Sequence, residues 1–250
     1  MGAVRIDCLL PLPASDLSDD AISALYDRAD RSVPWLRVNF VSSADGAAAV
    51  DGVSGGLGTD ADHRIFDLLR ELCDVVIVGA GTVRSEGYGA MVLPPASAAR
   101  RVARGLPAHP VFAIVSNSLT LDPASPIFTE APVRPIVVTT EAAPHDRRTA
   151  LAAVADVLIA GQQQLDPSIL VAALAERGLT QQHCEGGPSL FGSLLAAGAV
   201  DELCLTVSPQ LVAGDAKRIA AGALASPRDL ALSQVLVSGD TLLLRYELRR

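Results

Sequence analysis

The sequence predicts an α/β fold, a three-layer sandwich with a mixed, mostly parallel sheet. Three observations carry this. Short continuous apolar runs rich in Val and Ile alternate with stretches of helical periodicity, the pattern of strands buried on both faces. Two late runs of alternating polarity flank Gly239-Asp240, the signature of an antiparallel hairpin. The 250 residues are 50% hydrophobic, enough to build one core without disulfide staples.

The elements follow in order. WLRVNFVS (35–42) is the first core strand. TDADHRIFDLLREL then sets Ile65, Leu68, Leu69 and Leu72 at helical spacing, with Thr59 placed to cap it. DVVIVGAG (74–81), HPVFAIVS (109–116), RPIVVTT (134–140) and ADVLIAG (155–161) read as strands. Helices are expected over 144–154 and 167–178, the latter closed by Gly178. TQQHCE (180–185) is a strand, and Pro188 opens a helix running to about Gly198. VDELCLTVSPQLV (200–212) and the pair 230–239 and 241–249 complete the sheet. Residues 86–109, rich in Gly, Pro and Ala, read as a long functional loop. No repeat is visible, so 1–250 form a single domain, with 1–34 an N-terminal extension packing on it.

Composition excludes several functions. A net charge of −8 has the wrong sign for a phosphate-backbone binder, and 4% aromatics cannot build a base-stacking platform. No nucleic-acid partner is expected. No run of 18 apolar residues occurs, so no membrane partner is expected either. The N-terminus lacks the pattern of a secretory signal, and Gly2 lacks the Ser or Thr that myristoylation requires, since Ile6 stands there. Cys8, Cys73, Cys184 and Cys204 are isolated, so reduced, buried thiols in a cytoplasmic protein are expected and no metal site.

Three places could carry chemistry. GAGTVR (79–84) follows a strand as a dinucleotide fingerprint would, but Arg84 holds the third glycine position. Gly79 and Gly81 would let a flat ligand or phosphate approach the backbone, with Thr82 offering a hydroxyl; a plain tight turn is the alternative. In EGGPSL (185–190), Gly186 and Gly187 lie at a helix N-terminus, a ready phosphate site. Glu185 would repel that phosphate and should face another part of the site. NFVSSADGAAAVDGVSGGLGT (39–59) joins a core strand to a capped helix through a glycine-rich stretch in which Asp45 is a possible functional acid.

Together these segments resemble the reductase domain of riboflavin biosynthesis, a pyrimidine-reductase group that shares the dihydrofolate-reductase fold. The likeness runs from about Trp35 to the C-terminus. It rests on SxDG at 43–46, LLR at 68–70, GxGTVRxEGYG at 79–89, EGGPxL at 185–190 and DELCLTVSPxLVxG at 201–214. The pattern is closest to stand-alone, actinobacterial-type members. The resemblance implies a cytoplasmic homodimer that uses NADPH to reduce a phosphorylated ribosylaminopyrimidine. It implies that Gly79, Gly81, Thr82, Glu86, Asn117 (or Ser116), Gly161, Gly186, Gly187, Pro188, Ser189 and Leu190 hold the cofactor. Ser54, Arg70, Asn39 and Asp45 would meet the substrate, and Glu185 and Glu86 would be the catalytic acids, with Glu185 orienting the pyrimidine ring. Two departures stand out. Asn39 occupies the place of a lysine common in deaminase-fused members, and no HxE or PCxxC zinc-deaminase pattern occurs, which assigns deamination to a separate chain. A reductase of another heterocycle, such as a dihydrofolate or pteridine, and a non-catalytic nucleotide-binding module are the alternatives.

Overall fold

A computed structural model describes residues 4–249; Gly2, read above for myristoylation, lies outside them. In chain order the elements are β1 (Asp7–Leu10), α1 (Asp19–Tyr26), β2 (Trp35–Ser43), α2 (Asp60–Leu72), β3 (Val75–Gly79), α3 (Ala80–Ser85), α4 (Pro95–Ala103), β4 (Val111–Val115) and α5 (Pro126–Thr129). Then follow β5 (Ile136–Thr139), α6 (His145–Ala152), β6 (Asp156–Ile159), α7 (Pro167–Ala175), β7 (Gln181–Cys184), α8 (Pro188–Ala196), β8 (Glu202–Ser208), β9 (Leu230–Ser238) and β10 (Thr241–Leu248).

One ten-stranded sheet runs β1-β9-β10-β8-β2-β7-β3-β4-β5-β6. Every pair from β8 to β6 is parallel, and the pairs joining β8, β10, β9 and β1 are antiparallel. The fold is thus the mixed, mostly parallel α/β sandwich the sequence predicts. Val75, Val76, Ile77 and Val78 are all fully buried, which explains why β3 reads as an unbroken apolar run. On one face Val75 and Ile77 meet Leu170 and Leu174 of α7 and Phe191 and Leu194 of α8. On the other, Val76 and Val78 meet Ile127, Phe128 and Leu151 of α5 and α6, while Ile65, Leu68, Leu69 and Leu72 of α2 pack with Ile22 and Tyr26 of α1 against Cys204 and Leu243. The closing hairpin pairs Ser238 with Thr241 across Gly239, whose φ is +55°.

Several elements escaped the sequence reading. β1 and α1 lie in 4–34, where β1 borders β9. The expected loop 86–109 contains α4, opened by Pro95 in its first turn, where a missing N–H costs nothing. Arg101 of that helix is fully buried and donates to the carbonyls of Arg70, Glu71, Cys73 and Pro107. The expected strand 200–212 ends at Ser208, and in GAGTVR Gly79 closes β3 while Ala80 onward form α3, so the alternative of a plain tight turn does not hold.

Candidate functional site

β7 inserts between β2 and β3 although it follows them in sequence by six elements or more. Such a switch in strand order opens a crevice at the carboxyl ends of the strands. Here it brings the three glycine-bearing segments, after β2, β3 and β7, around one cleft of about 710 Å³. Asn39, Ser54, Arg70, Gly79, Gly81, Thr82, Glu86, Glu185, Gly187, Pro188, Ser189 and Leu190 all line it.

The two turns after β3 and β7 are built against each other. The Gly79 amide donates to the Gly186 carbonyl at 2.8 Å, and the Glu185 amide to Ile77 at 3.0 Å. The Gly186–Gly187 peptide is cis, and Gly186 has φ +105°. Gly187 itself sits at φ −80° as the N-cap of α8, with no side-chain cap. Its glycine identity therefore comes from space, because a Cβ there would overlap the Thr82 hydroxyl. The first-turn amides of Ser189 and Leu190 have no intrahelical acceptor. Around Gly81 the protein leaves open space, so a side chain there would occupy the cleft.

Glu185 lines the cleft, but both of its carboxylate oxygens already have protein partners. Arg70 donates to both of its oxygens, at 2.6 and 2.7 Å, and the Tyr88 hydroxyl donates at 2.9 Å. The Glu185 side chain is 0% exposed and that of Arg70 19%, so the cation is what reaches solvent. Burial pushes the Glu185 carboxyl up, but Arg70 and Tyr88 outweigh it and hold it below the usual range. His183 lies 3.5 Å away. Burial drives its pKa down to about 4, so it is neutral at pH 7 and the compensating charge is Arg70. A carboxylate so buried needs these partners, which is why it is committed to the protein.

Glu86, the C-cap of α3, accepts the Ser54 amide at 2.8 Å and ties the glycine-rich segment to the cleft. Asp45 lies outside the cleft lining. It accepts the Ser43 hydroxyl at 2.5 Å and the Ala213 and Val212 amides at 2.7 and 3.2 Å, which together lower its pKa to about 2. Its carboxylate fixes the 43–46 turn to the segment after β8, outside the cleft. Asn117 and Gly161 also lie outside the cleft, at the carboxyl ends of β4 and β6. Gly161 has φ +121° and its position crowds Gln164, so loop geometry accounts for the glycine.

The sequence reading missed Asp62, His63, Phe66, Tyr88 and Lys217, all cleft-lining. Asp62, Phe66 and Arg70 stand at i, i+4 and i+8 on α2, a stripe that helical spacing could have exposed. Asp62 is 8% exposed. Burial raises its pKa above the usual carboxylate range, against the Thr206 hydroxyl and His63, which favour the charged form. Lys217 is the single lysine of the chain. The thiols of Cys73 and Cys184 are pushed up by burial to about 12 and cannot act as nucleophiles near neutral pH. Among the described residues no group of three His, Cys, Asp or Glu could hold a metal, and no helix is long and apolar enough to cross a membrane.

Known proteins share this frame. The 2,5-diamino-6-ribosylamino-4(3H)-pyrimidinone 5′-phosphate reductase of Methanothermobacter thermautotrophicus is 28% identical over 222 residues, 86% of this chain and 99% of that protein. The crystal structure of a pyrimidine reductase-like protein from Corynebacterium diphtheriae superposes with a TM-score of 0.80 at 30% identity, covering 87% of this chain and 92% of that one. A Thermotoga maritima deaminase/5-amino-6-(5-phosphoribosylamino)uracil reductase shares the dihydrofolate-reductase-like fold at 18% identity and TM-score 0.64, covering 88% and 58% respectively. The RibD C-terminal domain model matches residues 34–244, and the chain belongs to that family.

Proposed function

We propose that this chain is an NADPH-dependent reductase of a ribosylaminopyrimidine 5′-phosphate in riboflavin biosynthesis. One observation carries the reading: an uncapped helix N-terminus flanked by glycine turns shares a cleft with a guanidinium held in place by a buried carboxylate. The first suits a dinucleotide pyrophosphate and the second an anionic sugar phosphate. The name of the archaeal relative points to the same substrate class.

The residues present fit the cofactor. The open space at Gly81, the Thr82 hydroxyl packed against Gly187 and the Ser189 and Leu190 amides would form an anion cradle. When bound, the reduced nicotinamide would supply a hydride. The chain's own work is binding, orientation and exclusion of water. Arg70 and Ser54 would hold the substrate, with Glu185 and Tyr88 fixing the Arg70 fork and Asn39 offering an uncharged polar group from β2. Glu86 would position Ser54 rather than transfer a proton. Asn117 and Gly161 would border the adenosine end on the same sheet edge. Arg147 donates to the Ser118 carbonyl at 2.9 Å beside Asn117 and would read a 2′-phosphate, which favours NADPH over NADH.

The partner is a second copy of the chain. β9 and β10 leave Leu230, Leu232 and Leu242 39%, 45% and 38% exposed, an apolar surface that a homodimer would cover. The four unpaired thiols suit a cytoplasmic protein.

The test is to mix the protein with NADPH and follow the loss of nicotinamide absorbance. Oxidation with the pyrimidine phosphate, in its 2-amino or 2-oxo form, supports the reading. Oxidation with dihydrofolate alone, or binding without oxidation, would overturn it.

A further inference from the structure

We propose that Asp62 is the proton donor of this reaction, an inference that rests on the reductase reading above. The cleft holds three carboxyls on different footings. Glu185 spends both oxygens on Arg70 and Tyr88. Glu86 accepts the Ser54 amide. Asp62 lines the cleft, is 8% exposed, and forms no ion pair with Arg or Lys among the described residues.

Its surroundings are mostly neutral. Thr206 of β8 donates to it, and His63 is its neighbour on α2. Asn39 of β2, in register with Cys204 of β8, lines the same cleft, as do Lys217 from the segment after β8 and Glu86 at the end of α3. Two carboxyls in one cleft are thus driven apart, Glu185 toward the ionised form and Asp62 toward the protonated one. Such a split separates an acid from a fixed charge.

The reaction requires one proton besides the hydride. Opening the ribose breaks the C1′–O4′ bond; O4′ takes the proton from the Asp62 carboxyl, while the exocyclic nitrogen lone pair forms a C1′=N bond. A bound reduced nicotinamide would supply the hydride that reduces C1′, giving a secondary amine and an O4′ hydroxyl. The sugar carbon is reduced, the nicotinamide is oxidised, and water returns a proton to Asp62. A donor that must be protonated makes the rate fall as pH rises through its pKa.

The experiment compares wild type, Asp62→Asn and Thr206→Val in steady-state kinetics across pH, beside an NADPH titration and a carboxyl ¹³C NMR titration of the free protein. Asp62→Asn should lower kcat by about 10²–10⁴-fold with unchanged NADPH affinity and remove the alkaline limb. Thr206→Val removes a hydrogen bond to the charged form, so it should move both that limb and the Asp62 resonance to higher pH. The proposal is overturned if Asp62→Asn keeps kcat within roughly threefold, or if Asp62 titrates at or below the ordinary range. It is also overturned if Thr206→Val leaves the limb in place or lowers it. A wild-type protein inactive on both forms of the pyrimidine would sink the reductase reading and the donor with it. An active wild type with an equally active Asp62→Asn sinks the donor alone.

Discussion

Arg70 and Glu185, 115 positions apart, meet fork to fork in the cleft wall, with Arg70 Nε and Nη2 donating to the two carboxylate oxygens. The pair joins the last turn of α2 to the end of β7 and fixes the direction of the guanidinium. Removing one partner of a buried pair costs about 3–5 kcal/mol. Glu185→Gln should therefore lower the urea midpoint at pH 7 and raise KM for the pyrimidine, while NADPH affinity holds. The pH dependence has a defined sign. The folded-state pKa of Glu185 is lowered, so its contribution is present above the unfolded value, about 4.3, and lost as pH falls through the folded one. Acid titration of stability should show this loss in wild type and not in the variant; identical acid limbs would remove the pair from the account.

Gly81 and Gly187 separate two reasons for a glycine. A Cβ at Gly187 would strike Thr82, whereas one at Gly81 would meet only cleft. Gly81 lies within α3, where Ala is intrinsically favoured by about 1 kcal/mol. Gly81→Ala should hold or raise Tm yet weaken NADPH binding at least tenfold. Gly187→Ala should lower both. Calorimetry beside thermal melts distinguishes them, and unchanged affinity in both variants would put the phosphates elsewhere.

Much of this was legible in the sequence because the parallel strands are buried on both faces and so read as unbroken apolar runs, as β3 does through Val75–Val78. The glycine turns were legible because a strand end followed by Gly-Gly-Pro permits few structures. What the sequence hides is pairing at a distance. Nothing local says that the Glu185 oxygens are filled by Arg70 and Tyr88, or that Asp45 spends itself on Val212 and Ala213. Nor does the sequence tell the two glycines apart: Gly186 carries the positive φ, whereas Gly187 is confined by Thr82. The strand that borders β9 was hidden too: β1 lies in a stretch too short and proline-rich to announce a strand.

Arg147 offers a test of cofactor choice. Its anchor to Ser118 sets a guanidinium near Asn117, the residue proposed above to border the adenosine end of the cofactor. If a 2′-phosphate meets it, Arg147→Ala should weaken NADPH by roughly 10- to 100-fold, the range of a charge-assisted contact, and leave NADH nearly unchanged. Paired Kd measurements for the two dinucleotides check this. An equal loss for both, or none, removes Arg147 from the specificity of the site.

The apolar surface of β9 and β10 makes the last prediction. Edge-to-edge growth of the sheet is not available there, because β10 has β8 and β9 as neighbours and β9 has β1. What remains is the face that exposes Leu230, Leu232 and Leu242. Light scattering at micromolar concentration should give roughly twice the chain mass of 25.9 kDa, the stoichiometry of a two-fold interface in which each copy presents the same patch. Leu232→Asp places a charge at the centre of that patch and should shift the mass to that of one chain. The cleft lies at the carboxyl ends of β2, β7 and β3, away from β9, so NADPH affinity should survive dissociation. A wild type that scatters as a monomer ends the proposal. A dimer indifferent to Leu232→Asp relocates the interface to another surface.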